Sequence, residues 1–476
     1  MEDFKYLLDD DEWTHFRRLL REGGDAEALQ GFFEAFWAQR DPMPSRAVNV
    51  RLAEHYERLG RAERDYAFFG FRMWFNDPDK SSELRFPEAF RLNEEFNDKG
   101  LVYIRHGEPG DRIVEVSEGT APNESWRYGQ PRMDFHFVIA EGGSGNNWRL
   151  TPRLDPRMLE SRAHWGYPYL QAARARSPLD LVEADYRIAD RSRESVALGF
   201  ASESYHWPED VERFAPAYLP VAFREPDGQT RLEVHFALPA DRVSAADASD
   251  SLRAEAGVAL VGASARPLVE ARRTRYVRGV EEGGEAAVGR FVLMPPGGDS
   301  LQLSFHLALG PAGAPAQLGV ETSAYLPPTF PEGELTMSDV LPARLIRAVE
   351  RGDTLLRGDR YVLPNPSGVF ARGAPVFVYF ELYGLALDEA GLSRAAVEVA
   401  LLPERPRRGF LGLFGRRSGP LLRVRTERAA PGTSSAEHAE IDVASVEPGR
   451  YRLQVSVTDL LREQSAERSF ELVLEP

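Results

Sequence analysis

Five side chains with acid-base or ion-binding chemistry fall within residues 95–128: Asp98, Arg105, Glu108, Asp111 and Glu124. Gathered at the turns of one small domain, they would form a binding or hydrolytic site with Glu108 as its acid/base. The same residue types also cap turns and pair charges, because Asn and Asp side chains hydrogen-bond turn backbones. That plainer role is the expected one. No HExxH, P-loop, GxSxG or dinucleotide fingerprint accompanies these residues. The chain contains no cysteine, which removes disulfides, thiolate metal sites and cysteine nucleophiles. No catalytic residue, metal ligand or cofactor is therefore assigned.

The elements that would position these groups read as turn, strand, turn. Asn97-Asp98-Lys99-Gly100 is made of residues that tolerate turn geometry. Leu101-Val102-Tyr103-Ile104 is short, apolar and rich in β-branched and aromatic side chains, which predicts a buried strand. Gly107-Glu108-Pro109-Gly110 breaks the chain again. Upstream, Trp13, Phe16, Leu19 and Leu20 recur at helical spacing. A second helix is expected over 26–39, with Phe32, Phe33, Phe36 and Trp37 on an aromatic core face, ended by Pro42 and Pro44. A third is expected over 47–74, carrying Leu52, Tyr56, Leu59, Tyr66, Phe69 and Met73. A short helix is expected within 86–96. Strands are expected over 125–128 and 133–139, a strand over 111–116 that extends or pairs with 101–104, and one more helix within 156–175.

From about residue 190 the pattern changes to period two. Leu232, Val234, Phe236 and Leu238 alternate, as do Leu301, Leu303, Phe305, Leu307 and Leu309. Such alternation marks half-buried antiparallel strands. Asp227-Gly228 between two runs is a hairpin signal. Val376, Val378, Phe380 and Leu382 alternate again, and Glu447-Pro448-Gly449 turns into Tyr451, Leu453, Val455 and Val457. The expected architecture is multidomain α+β. A helical segment covers 1–95, and a small α/β domain covers 96–185, packed with 30–95. A β-sandwich covers 186–330, a linker 329–340 and a C-terminal β-sandwich 341–476, both sandwiches immunoglobulin-like.

The 74 acidic and 58 basic residues give a net charge of −16, which argues against nucleic acid as a partner. The acidic N-terminus, MEDFKYLLDDDEW, lacks the apolar stretch of a signal peptide, and no run of about 18 apolar residues predicts a membrane-spanning helix. As written the chain reads as cytoplasmic, or extracytoplasmic if a leader was removed.

Two resemblances bear on function. Ile104-Arg105-His106-Gly107-Glu108 resembles the nucleophile motif of the histidine phosphatases, which implies His106 as phosphoryl acceptor, Arg105 as a ligand of its oxygens and Glu108 beside them. No downstream histidine is followed by glycine, so that family's second signature is absent. A wider resemblance is to the GWxTD-domain proteins, which are often bacterial. Phe36-Trp37-Ala38-Gln39-Arg40-Asp41-Pro42-Met43-Pro44 resembles their "FWxxRDPTP" motif, and 102–113 and 124–128 resemble the strands that follow. Matched positions are Trp37, Arg40, Asp41, Asp98, Gly100, Tyr103, Gly107, Pro109, Trp126 and Tyr128. Counted back from Gly100, Asp98 is kept, Asn97 stands for threonine, and Glu95 and Glu94 stand for the tryptophan and glycine.

The segment 405–417 places five arginines around four large apolar residues: Arg405, Arg407, Arg408, Phe410, Leu411, Leu413, Phe414, Arg416 and Arg417. Such a loop suits contact with an anionic membrane surface or a partner groove. The sequence therefore points to a non-catalytic binding or scaffold protein with a protein partner. The alternative is a hydrolase acting by phosphoryl transfer at Arg105-His106-Gly107.

Overall fold

The computed structural model describes residues 2–21, 25–68, 84–91, 93–116, 121–139, 146–239, 242–243, 252–277, 288–311, 316–348, 356–357, 359–404 and 420–476. Among these the protein is multidomain α+β, with seven α-helices and five β-sheets. No helix among them is long and apolar enough to cross a membrane. Two compact units form: Met1–Pro42 with Val48–Pro208, and Met43–Ala47 with Glu209–Pro476.

In the first unit, helices α1 (Asp10–Arg21), α2 (Ala26–Arg40) and α3 (Val50–Asp65) follow the helical spacing in the sequence. Asp25 caps α2 and Asn49 caps α3, each accepting a backbone N–H of the first turn. Phe16 of α1 is buried, whereas Leu20 is exposed and leaves the expected face. Helix α3 stops at Asp65 rather than running to 74. Ala67 pairs with Phe96 as an isolated bridge, and Phe68 N–H donates to Glu95 O, so the backbone there is extended. Phe69 and Met73 lie outside the described residues. The helix expected within 86–96 is a single turn, α4 (Glu88–Arg91).

The expected strand over 101–104 is instead part of helix α5 (Asp98–His106). Asn97 does not make a tight turn; it caps this helix, its Oδ1 accepting Gly100 N–H at 3.1 Å. All nine residues of α5 are buried, so the helix has no polar face to reveal its period. Strands β1 (Asp111–Glu115), β2 (Asn123–Tyr128), β3 (Met133–Ile139) and β4 (Trp148–Leu150) form an antiparallel sheet in that order. β1 pairs with β2, not with 101–104. The region 156–175 holds two short 3-10 turns and helix α6 (Tyr167–Ala173).

Helix α7 (Pro178–Ala201) runs through 185/186, where a domain boundary was expected. Its buried face is Ala184, Ile188, Ala189, Ser192, Ser195, Val196, Gly199 and Phe200. The helical spacing is present but carried largely by small residues, which give a weak hydrophobic signal. Small size is required: a Cβ on Gly199 would lie 2.5 Å from the Phe135 ring of β3.

The second unit follows the alternating pattern. Val288–Leu293, Thr230–Ala237 and Ala217–Arg224 form one sheet. Glu212–Phe214, Gln317–Tyr325, Leu301–Gly310, Leu252–Val261 and Pro267–Val277 form another. Leu232, Val234 and Phe236 from the first and Leu303, Phe305 and Leu307 from the second share one core. Gly228, at φ +87°, sits in the expected hairpin. Two further sheets share a second core, to which Val378, Phe380, Val397, Leu453 and Val455 contribute. The expected linker is part of this fold: Leu335, Met337 and Val340 lie in that core, and Thr336–Met337 pairs with the strand Val376–Tyr383. Residues 43–47 belong to this unit as a strap. Ser45 is buried, its Oγ 2.8 Å from His306 Nδ1, over Gly257, where a Cβ would lie 2.7 Å from Ser45 O.

Candidate functional site

Helix α5 and its surroundings carry most of the sequence-predicted residues. Asp98 is fully buried; its Oδ2 accepts Leu150 N–H at 2.8 Å and its Oδ1 accepts Arg149 Nη1 at 3.2 Å. It thereby ties the helix start to β4. Lys99 Nζ donates to Glu124 Oε2 at 2.5 Å and sits 3.0 Å from the Trp148 ring centroid. Burial pulls the Lys99 ammonium down to about 8 even with Glu124 beside it. Glu124 also accepts Trp126 Nε1 at 2.5 Å and pairs with Arg112. Burial raises its pKa, but the hydrogen bonds from Lys99 and Trp126 outweigh this and leave it below the usual value. Gly100 admits no side chain, since a Cβ would lie 2.9 Å from Tyr66 Cβ. Tyr103 packs on the Tyr66 ring.

The Arg105-His106-Gly107 string ends this helix. Arg105 Nη2 donates to Leu8 O at 3.0 Å, and burial lowers its pKa to about 10. His106 is 1% exposed. Its Nε2 lies 2.7 Å from Gly199 O and its Nδ1 3.0 Å from Ser204 Oγ. A carbonyl can only accept, so Nε2 carries the proton and Nδ1 accepts from the serine hydroxyl. Burial holds the ring near pKa 3, hence neutral. Both ring nitrogens are hydrogen-bonded within the fold. The string also sits in a helix rather than on a strand-to-turn junction. Gly107 follows at φ 69°, ψ −150°, and its carbonyl accepts Tyr128 OH at 2.8 Å. Pro109 is half-buried in the turn that leads to β1.

The five acid-base candidates each meet their own partners. Glu108 is half exposed and pairs with Arg61 at 3.2 Å. Asp111 accepts Trp165 Nε1 at 2.7 Å. Asp98, Arg105 and Glu124 are buried in the separate settings above. Their partners hold them at turns and helix ends.

The other matched residues enter a charge chain not foreseen from sequence. Trp37 is buried among Phe33, Phe36 and His55. Asp41 closes α2. Arg40 lies 3.6 Å from the Phe36 ring centroid and bonds Glu12 at 2.9 Å and Glu203 at 2.5 Å. Arg51 bonds Glu203 at 2.6 Å, and Glu54 pairs with Arg51 and Arg58. Arg58 donates to Arg105 O and Ser204 O, both at 2.8 Å, and lies 3.0 Å from His206 Nδ1. The chain pins residues 202–206 onto α3 and α5. The helical spacing of Arg51, Glu54 and Arg58 was its only trace in the sequence.

A second buried network was also missed. Arg162 Nε donates to Ser125 Oγ at 2.9 Å, and Ser125 Oγ lies 2.7 Å from His136 Nδ1. His136 Nε2 lies 2.9 Å from Tyr169 OH, which donates to Asp134 Oδ2 at 3.3 Å. With Tyr169 donating onward, His136 must donate through Nε2 and accept from Ser125. Burial holds His136 near pKa 3. Asp134 also takes Arg127 at 2.6 Å and Arg191 at 2.5 Å. The serine-histidine spacing matches a nucleophile and base. Ser125, His136 and Asp134 are all 0% exposed, and the relay joins β2, β3 and α6 in the core.

Among the described residues no group of three or more His, Asp or Glu side chains is arranged to hold a metal ion. The 405–417 loop, with Arg407, Arg408, Phe410, Leu411, Leu413, Phe414, Arg416 and Arg417, lies outside the described residues.

No protein-family model and no curated protein matches the chain. Among solved structures, a calcium-binding mutant of Bacteroides uniformis beta-glucuronidase 2 aligns with 53% of the chain at 7% identity and a TM-score of 0.17. The chain spans 27% of that protein's length.

Proposed function

We propose that this is a non-catalytic binding or scaffold protein resembling the GWxTD-domain proteins, with a protein partner. The observation that carries the reading is His106. The side chain best suited by sequence to covalent chemistry has both ring nitrogens committed to Gly199 and Ser204. The resemblance gains support at Asn97, which fills a helix N-cap, a role threonine also serves. We further propose that the two β regions are immunoglobulin-like sandwiches. In support, Tyr451 OH donates back to Glu447 O at 2.6 Å, in the manner of the tyrosine corner of that fold.

An exposed apolar stripe on α7 supports a protein partner: Leu179, Val182 and Tyr186, spaced by three and four residues. On its sequence alone, 405–417 is proposed as a peripheral contact with anionic membrane. Deleting 410–414 should then abolish sedimentation with anionic liposomes.

The reading is tested by assaying wild type and His106→Ala against phosphorylated small molecules. No turnover by either is expected. Turnover by wild type that the variant loses would overturn the proposal in favour of phosphoryl transfer. Cross-linking of wild type beside Leu179→Asp/Tyr186→Asp tests the partner surface, and partners kept by the variant would remove α7 from it.

A further inference from the structure

The sheets that share the first core of the second unit leave a cavity of about 280 Å³ at one side. This is just below the ~300–1,000 Å³ typical of small-molecule sites. Its walls come from Phe236, Leu238, Leu307, Val277 and Val288, with Ala254, Ala256 and Gly289 where larger side chains would fill it. Gly289 faces the Phe236 ring so closely that a Cβ would lie 2.1 Å from it. The cavity is bordered by two edge strands, Pro267–Val277 of one sheet and Val288–Leu293 of the other.

Two cations line this apolar space. Arg273 and Arg275 lie opposite Ala256 and Ala254 in the strand register, on the face that also carries Val269, Ala271 and Val277 toward the core. Period two places both on that face, where they stay exposed to solvent at the rim of the cavity. Among the described residues, neither guanidinium has a hydrogen-bond or ion-pair partner, whereas neighbouring Arg272, on the opposite face, pairs with Glu270 and donates to Ser45 O. Charges on an edge strand can guard it against pairing. That role needs neither a cavity nor two small residues opposite the arginines.

We propose that this cavity binds a single-chain aliphatic anion, with the chain between the sheets and the head group on Arg273 and Arg275. Burial of the chain supplies affinity, and the paired guanidinium donors select a carboxylate-sized anion. The site is independent of the α7 surface and of His106.

Titration calorimetry on the full chain tests the assignment, with decanoate, decan-1-ol and phosphatidylglycerol vesicles as probes. Decanoate is expected to bind, with decan-1-ol weaker by about tenfold or more. Arg273→Gln/Arg275→Gln should cost decanoate a similar factor and leave decan-1-ol unchanged. Ala256→Leu should abolish binding of both while the melting temperature holds or rises. Decanoate that fails to bind, or binds the glutamine variant equally, would overturn the proposal and leave the arginines as edge guards. Binding to vesicles but not to free decanoate would overturn it too, placing the anion in a membrane surface. If Ala256→Leu lowers the melting temperature, Ala254→Val serves as the second filling variant, and undiminished decanoate binding by it would equally overturn the site.

Discussion

At the scale of single residues, the identity of a side chain says less than the groups it meets. By type His106 could act as a nucleophile, yet here its Nε2 donates to Gly199 O and its Nδ1 accepts from Ser204 Oγ. His106→Ala should therefore cost stability, about 2–4 kcal/mol, through a cavity and two orphaned polar groups. Urea denaturation measures this loss, and a variant as stable as wild type would contradict the buried role. Gly107 is held at φ 69°, ψ −150°, a region open essentially to glycine, and a Cβ would lie 3.0 Å from Arg58 Nε. Gly107→Ala should cost of order 1–3 kcal/mol in the same assay.

At the scale of elements, helix α5 depends on how it starts. Asn97 caps it and also donates from Nδ2 to Asn146 O at 3.1 Å. Asn97→Ala should destabilise by about 1 kcal/mol through the cap, with the lost Asn146 bond in addition. Asn97→Thr should recover the cap contribution. In the second unit the 43–47 strap crosses the strand Leu252–Val261 at Gly257. Gly257→Ala should force the strap or the His306 ring to shift, at about 1–3 kcal/mol. Faster hydrogen exchange at Ser45 and its neighbours is the expected signature.

At the scale of the molecule, the first unit stores its polar chemistry as buried, paired groups, and this sets a pH response. Burial lowers His55 to about 4 and His106 and His136 to about 3, each from an ordinary 6.5. Below pH 6.5 the unfolded chain takes up protons that the folded unit refuses, so stability falls with pH. The slope is about 1.4 kcal/mol per unit for each histidine until its folded pKa is reached. All seven tryptophans lie at or before residue 207, so their fluorescence reads this unit. The unfolding midpoint should drop between pH 6.5 and 5, before most carboxylates titrate. A flat profile over that interval would show that these histidines are not held neutral.

Much of this fold was legible in the chain. Helices α1 to α3 and the strands of the second unit follow local periodicity, and the Asp227-Gly228 hairpin follows turn chemistry, because each depends on residues a few positions apart. The state of 98–106 was not legible. A short apolar run buried on every side carries neither period, and packing decided between helix and strand. Helix α7 escaped for a related reason, its buried face being largely small residues that allow close approach to β3. The role of His106 lay furthest out of reach. Its partners stand 93 and 98 positions along the chain, so only the tertiary fold shows the ring buried and hydrogen-bonded at both nitrogens.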